Sequence, residues 1–130
     1  MCLLAVTASA ASDVEKPEEA AETAALAWLG LIDAGNYARS WTDAAFSFRQ
    51  RISQSQWQTA AANARSPFGA LKSRALRSAT LKSTLPGAPD GQYVVIQYAS
   101  SFEHKASAIE TVTPMLDTDG KWRVSGYYIN

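Results

Sequence analysis

The chain predicts an α+β domain in which three N-terminal helices pack on one face of a curved, four-stranded antiparallel meander. Apolar residues recur at helical spacing as far as about residue 66 and alternate from Leu71 onward. The connections between the alternating runs are short and rich in turn residues, which makes neighbouring strands antiparallel. At 130 residues and 47% apolar composition, the chain supplies one hydrophobic core.

Residues 1–10 read as the remnant of a signal peptide. Cys2-Leu3-Leu4-Ala5-Val6 is a short apolar run without a positive region before it, and Ala8-Ser9-Ala10 places small residues where a signal peptidase cleaves. Residues 11–16 read as a disordered linker and 17–130 as the domain. The expected location is therefore periplasmic or secreted. Cys2, the one cysteine, falls in the segment that cleavage would remove, so the mature domain is expected to form no internal disulfide.

Pro17-Glu18-Glu19 opens the first helix, with proline at the first position and carboxylates at the positive end of the dipole. Ala21, Ala25, Trp28, Leu29 and Ile32 share one side, and Gly35 supplies a left-handed stop, so the helix covers about 17–34. Asn36 can cap a second helix, in which Tyr37, Trp41, Ala44, Ala45, Phe48 and Ile52 form the packing stripe. Ser53 and Gln56 form a capping box, with Ile52 and Trp57 as a hydrophobic staple, and start a third helix that ends before Pro67.

Strands are expected at 71–84, 92–104, 107–117 and 121–129. Pro86-Gly87-Ala88-Pro89-Asp90-Gly91, Lys105-Ala106 and Asp119-Gly120 make the three connections. Alternation puts Val94, Ile96, Tyr98 and Phe102 of the second strand on the helix-facing side. It does the same for Trp122, Val124, Gly126 and Tyr128 of the fourth. Tyr93, Val95, Tyr127 and Ile129 would then form an apolar patch on the outer side, a candidate homodimer surface. Gly126 would let the sheet bend or the first helix approach.

Ala27-Trp28-Leu29, Ile32-Asp33-Ala34-Gly35, Ser40-Trp41, Arg65-Ser66-Pro67, Leu85-Pro86-Gly87-Ala88-Pro89-Asp90-Gly91 and Gly120-Lys121-Trp122-Arg123-Val124 together resemble an uncharacterised bacterial family known as domain of unknown function 4019. The resemblance runs from about Ala24 to the C-terminus. It implies small exported proteins and brings no established activity, cofactor or catalytic residue. The layout is also similar to the cystatin and nuclear-transport-factor-like rolls, a likeness of fold that carries no function.

Twelve Lys and Arg balance twelve Asp and Glu, so no global field draws the chain to nucleic acid or an anionic membrane. No apolar run approaches the roughly 18 to 20 residues that span a bilayer. His104 is the one histidine, and no phosphate-binding loop or nucleophile elbow occurs, so no metal or other cofactor is expected. Asp117-Thr118-Asp119-Gly120 starts like a calcium loop but lacks its later ligands, which leaves a hairpin turn.

Residues 44–89 carry seven bases and no acid, whereas residues 1–43 carry seven acids and two bases. Arg49, Arg51, Arg65, Lys72, Arg74, Arg77 and Lys82 therefore form either an anion-binding surface or a block neutralised by the acidic first helix. Glu110 also reads two ways. On an inward face it is either paired structurally with an arginine or held for ligand binding or acid–base work. The tryptophans read as core.

The reading favoured by these features is a non-catalytic ligand-binding or interaction module. It takes a small molecule, peptide or envelope protein at the mouth between the first helix and the sheet, with Arg74, Tyr98, Glu110 and Trp122 as ligand-binding residues. The alternative is an enzyme with Glu110 or Asp33 as general base.

Overall fold

The computed structural model describes residues 15–130. The expected signal-peptide remnant, Cys2 and most of the expected linker lie outside the described residues. Helix α1 (Pro17–Asp33) is followed by α2 (Tyr37–Thr42), α3 (Phe46–Arg51), α4 (Gln54–Arg65) and a 3-10 turn at Ser66–Phe68. The strands β1 (Leu71–Lys82), β2 (Tyr93–Phe102), β3 (Lys105–Leu116) and β4 (Trp122–Ile129) form one antiparallel sheet in sequence order. No helix among the described residues is long and apolar enough to cross a membrane.

Helix α1 packs against all four strands. Its buried residues are Ala21, Ala25, Trp28, Leu29 and Ile32, so the 3.6-residue period holds along its length. Beyond its end, the Asn36 N–H donates to the Leu31 carbonyl at 2.8 Å while Gly35 takes a φ of 76°, a left-handed stop open to glycine at no steric cost. Trp28 and Trp57 stack at 5.9 Å, and Phe48 meets Trp57 edge-on at 5.0 Å. Ser40 gives both indoles an acceptor: Trp28 donates to its carbonyl and Trp57 to its hydroxyl, each at 2.8 Å. Trp41 donates to the Ile52 carbonyl. The three helical tryptophans are core residues with satisfied N–H groups.

The single helix expected over 36–52 is two. At Ala45 the backbone becomes extended (φ −61°, ψ 151°), and its N–H donates to the Val124 carbonyl on the β4 edge at 2.8 Å. The Phe46 N–H donates to Asp117 Oδ2 at 3.1 Å, which caps α3 from the β3–β4 turn. A sheet-edge hydrogen bond and a remote carboxylate thus replace one turn of helix. The β2–β3 turn also differs, falling at Glu103-His104 rather than Lys105-Ala106. The Glu103 and His104 N–H groups donate to Ala70 and Phe68 carbonyls at 2.8 Å each, so the segment after α4 fixes where the chain reverses.

Each ladder contains a register shift, and the shifts decide which side chains face the helices. In β4, Val112 pairs with Tyr127 and Pro114 with Val124, so Ser125 and Gly126 together oppose Thr113. The extra residue reverses the alternation. Tyr127 turns inward against Trp28 at 5.5 Å, and Tyr128 turns outward, 58% exposed. The expected outer patch of Tyr93, Val95, Tyr127 and Ile129 is therefore not assembled, since Tyr93 is also buried, its hydroxyl donating to the Pro89 carbonyl at 2.6 Å.

Candidate functional site

On the helix-facing side, a polar row crosses the whole sheet: Arg74 on β1, Ser100 on β2, Glu110 on β3 and Tyr127 on β4. Arg74 pairs in register with Ser100, and Ser100 with Ala108, so the Arg74 side chain reaches over β2 to Glu110. Glu110 is 0% exposed. Its Oε1 accepts from Arg74 Nε at 2.7 Å and Ser100 Oγ at 2.6 Å. Its Oε2 accepts from Arg74 Nη2 at 3.2 Å and Tyr127 Oη at 2.6 Å.

The helices close the row from above. Asp33, at the end of α1, accepts from Arg74 Nη1 and Nη2 at 2.8 and 2.9 Å. Arg65, at the end of α4, places Nη2 3.0 Å from Asp33 Oδ1 and Nη1 3.9 Å from Glu110 Oε2. Its guanidinium also lies 4.5 Å from the Phe102 ring centroid. Two carboxylates and two guanidiniums thus form a closed, charge-balanced quartet, in which Arg65 Nε and Nη1 have no hydrogen-bond partner among the described residues.

Burial, then the charge of Glu110 and the hydrogen bond to it, pushes the Tyr127 hydroxyl above the ordinary tyrosine range. Burial pushes Tyr98 the same way, with Glu22 next, whose Oε2 lies 3.3 Å from its hydroxyl. For Arg74, burial acts to lower the pKa, and the hydrogen bonds and charges of Asp33 and Glu110 more than offset it. Both phenols and the guanidinium are fixed as donors. Glu110 already receives four hydrogen bonds, which fill the acceptor sites of a carboxylate, so a proton-abstracting role would have to displace one of them.

The opposite face of the sheet carries a cleft of about 790 Å³. Its floor is built from outward-facing Tyr93, Thr111, Thr113, Ser125 and Tyr128, one wall from Phe46, Gln50 and Arg51 of α3, and the other from Leu85–Pro89. Helix α3 stands at this edge because Ala45 bonds to Val124 and Arg51 Nη2 donates to the Ser125 carbonyl at 2.7 Å. Phe46 and Tyr128, 55% and 58% exposed, both line the cleft, and the Ser125–Gly126 bulge is what turns Tyr128 into it.

Of the four residues singled out from the sequence, the structure joins Arg74 and Glu110 directly and sets Tyr98 beside Glu110 in register. Trp122 lies apart, in a smaller depression with Trp28, Leu31, Arg39 and Arg123. The basic block divides. Arg65 and Arg74 pair with acids, whereas Arg49, Arg51, Lys72, Arg77 and Lys82 have no acidic partner among the described residues. Sequence reasoning missed Arg65 and Tyr127 as members of the polar cluster and missed the outer cleft altogether. Gly126 was its one visible signal. His104 is exposed beside Glu103, and the Asp117–Gly120 segment is a hairpin turn with Gly120 at a φ of 81°. Among the described residues no three His, Cys, Asp or Glu side chains are grouped to hold a metal ion.

A family model described as "Protein of unknown function (DUF4019)" matches residues 24–127. The match covers most of the chain, which belongs to that family. No curated protein matches it.

Proposed function

For a member of a family without an assigned activity, we propose a non-catalytic binding module that seats its ligand in the outer cleft. The observation that carries this reading is the pair of exposed aromatic rings, Phe46 and Tyr128, in a concavity of about 790 Å³. That size falls in the range of about 300–1,000 Å³ usual for small-molecule sites, which combine an apolar lining with a few placed polar groups. Thr111, Thr113, Ser125 and Gln50 supply those groups here. In this reading Arg74, Tyr98 and Glu110 serve as the frame that fixes the strands under the cleft. The small residues at Ala8-Ser9-Ala10 support export to the periplasm or medium.

Titration with N-phenyl-1-naphthylamine, a neutral aromatic dye that brightens in apolar surroundings, tests the seat. One saturable site per chain is expected, lost in the Phe46→Ser, Tyr128→Ser double variant. Absence of binding, or undiminished binding by the double variant, overturns the reading.

A further inference from the structure

We infer that the outer cleft selects small amphipathic anions, an apolar or aromatic body bearing one carboxylate or sulfonate, with Arg51 as the charge partner. The inference rests on the reading of the cleft as a ligand seat and adds the class of ligand. Among the described residues, Arg51 is the one charged side chain that lines the cleft, and no carboxylate lines it. It has no acidic partner among the described residues, in contrast to Arg65 and Arg74, whose charges are matched by Asp33 and Glu110. Its Nη2 is tied to the Ser125 carbonyl at 2.7 Å. That bond holds the guanidinium at the cleft wall, and its Nε and Nη1 donors have no partner among the described residues. A planar fork with spare donors matches the two oxygens of a carboxylate or sulfonate.

A second positive charge stands behind the same wall. The Arg49 guanidinium lies 5.8 Å from the Phe46 ring centroid and 6.0 Å from that of Trp41, also without an acidic partner among the described residues. The cleft thus combines exposed rings for an apolar body with an unneutralised positive edge for one anionic group. A neutral ligand would leave that charge unmatched.

Two dyes of like ring system separate the possibilities: anionic 8-anilinonaphthalene-1-sulfonate and neutral N-phenyl-1-naphthylamine, titrated against the full chain. Arg51→Gln is expected to weaken the sulfonate dye by about tenfold, the scale of one charge-assisted hydrogen bond. It should weaken the neutral dye far less, by no more than losing the Ser125 bond loosens the wall, and retained neutral-dye binding also shows that the variant is folded. Arg51→Lys should recover part of the loss, and added salt should weaken only the anionic dye. Equal binding of the sulfonate by wild type and Arg51→Gln, with the neutral dye still bound, overturns the anion selectivity and leaves the seat standing. Failure of both dyes to bind overturns the seat and the selectivity together.

Discussion

Glu110 Oε1 lies 2.7 Å from Arg74 Nε although β2 runs between their strands, so one ion pair spans three strands of the sheet. Asp33 holds the other side of the same guanidinium at 2.8 Å. Helix α1, the edge strand and a central strand therefore converge on a single side chain. Such a cluster adds little net stability over a well-packed apolar one, because desolvation offsets the attraction, but losing one member strands the others.

Glu110→Ala is accordingly expected to destabilise the fold by about 3–5 kcal/mol, since it leaves Arg74 and Arg65 facing a vacated, water-poor site. Domains of this size hold roughly 5–15 kcal/mol in all, so much of the fold's stability is at stake. Asp33→Asn should cost less, because the Asp33 side chain is 21% exposed and water can replace part of what is lost. Urea denaturation midpoints rank the two. A Glu110→Ala midpoint within error of wild type would show that the cluster relaxes without cost.

The quartet was half legible in the sequence, and the reason is distance along the chain. An inward carboxylate at Glu110 demands a cation, which periodicity alone can say; that the cation is Arg74, and that Asp33 and Arg65 join it, depends on how α1 and α4 end over the sheet. The local patterns on α1 and β2 survived intact. All five apolar positions read on α1 are buried, and so are Val94, Ile96, Tyr98 and Phe102 on β2. Errors arose where a partner remote in sequence intervened: Asp117 caps α3 from 71 residues away, and the Ser125–Gly126 bulge exchanges the faces of Tyr127 and Tyr128. The cleft needed both features, so no local pattern could reveal it.

Tyr127 makes stability depend on pH on the alkaline side. Its hydroxyl donates to Glu110 and is held protonated above the ordinary value of about 10, chiefly by burial. The unfolded chain loses this proton near pH 10 while the folded state keeps it, so the folded state binds more protons there and stability falls as pH rises. Below about pH 9 the contribution is constant. Tyr127→Phe should cost about 1–3 kcal/mol at neutral pH, from the acceptor left short of a donor. The gap between variant and wild type should narrow from pH 9 to 11. A gap that widens over that interval would contradict the assignment.

Gly69 is the backbone hinge between the helices and the sheet. It takes a φ of 74°, and a Cβ there would stand 2.7 Å from Glu103 Oε1 and 2.8 Å from Glu103 Cβ. Conformational strain and collision act in the same direction. Gly69→Ala should therefore lower stability by about 1–3 kcal/mol, whereas alanine at Gly30, with open space around its Cβ and an ordinary helical backbone, should be neutral or stabilising by up to about 1 kcal/mol. Thermal melts of the two variants side by side give the comparison. Equal melting temperatures would remove the hinge argument.

The two edges of the sheet are guarded differently. Ala45 and Arg51 occupy the β4 edge through hydrogen bonds to Val124 and Ser125. The β1 edge has no such cover among the described residues, and Leu76 and Leu81 beside it are half exposed. An open edge twelve residues long offers a template for another strand. What opposes that pairing is the register: Leu71 pairs with Phe102 and Ser73 with Ser101, Leu76 with Tyr98 and Ser78 with Gln97, so Lys72 and Arg77 are each the extra residue of a bulge. Each bulge breaks the regular spacing of the edge and places a positive charge on it, so a second β1 would meet both mismatch and repulsion. Replacing both by threonine, a residue that favours strands, keeps the chain length and removes the charges. The double variant should associate at lower protein concentration than wild type, read by light scattering across a dilution series and reversed by restoring Arg77 alone. The same concentration dependence in both proteins would mean that the bulged backbone, without its charges, is enough to protect the edge.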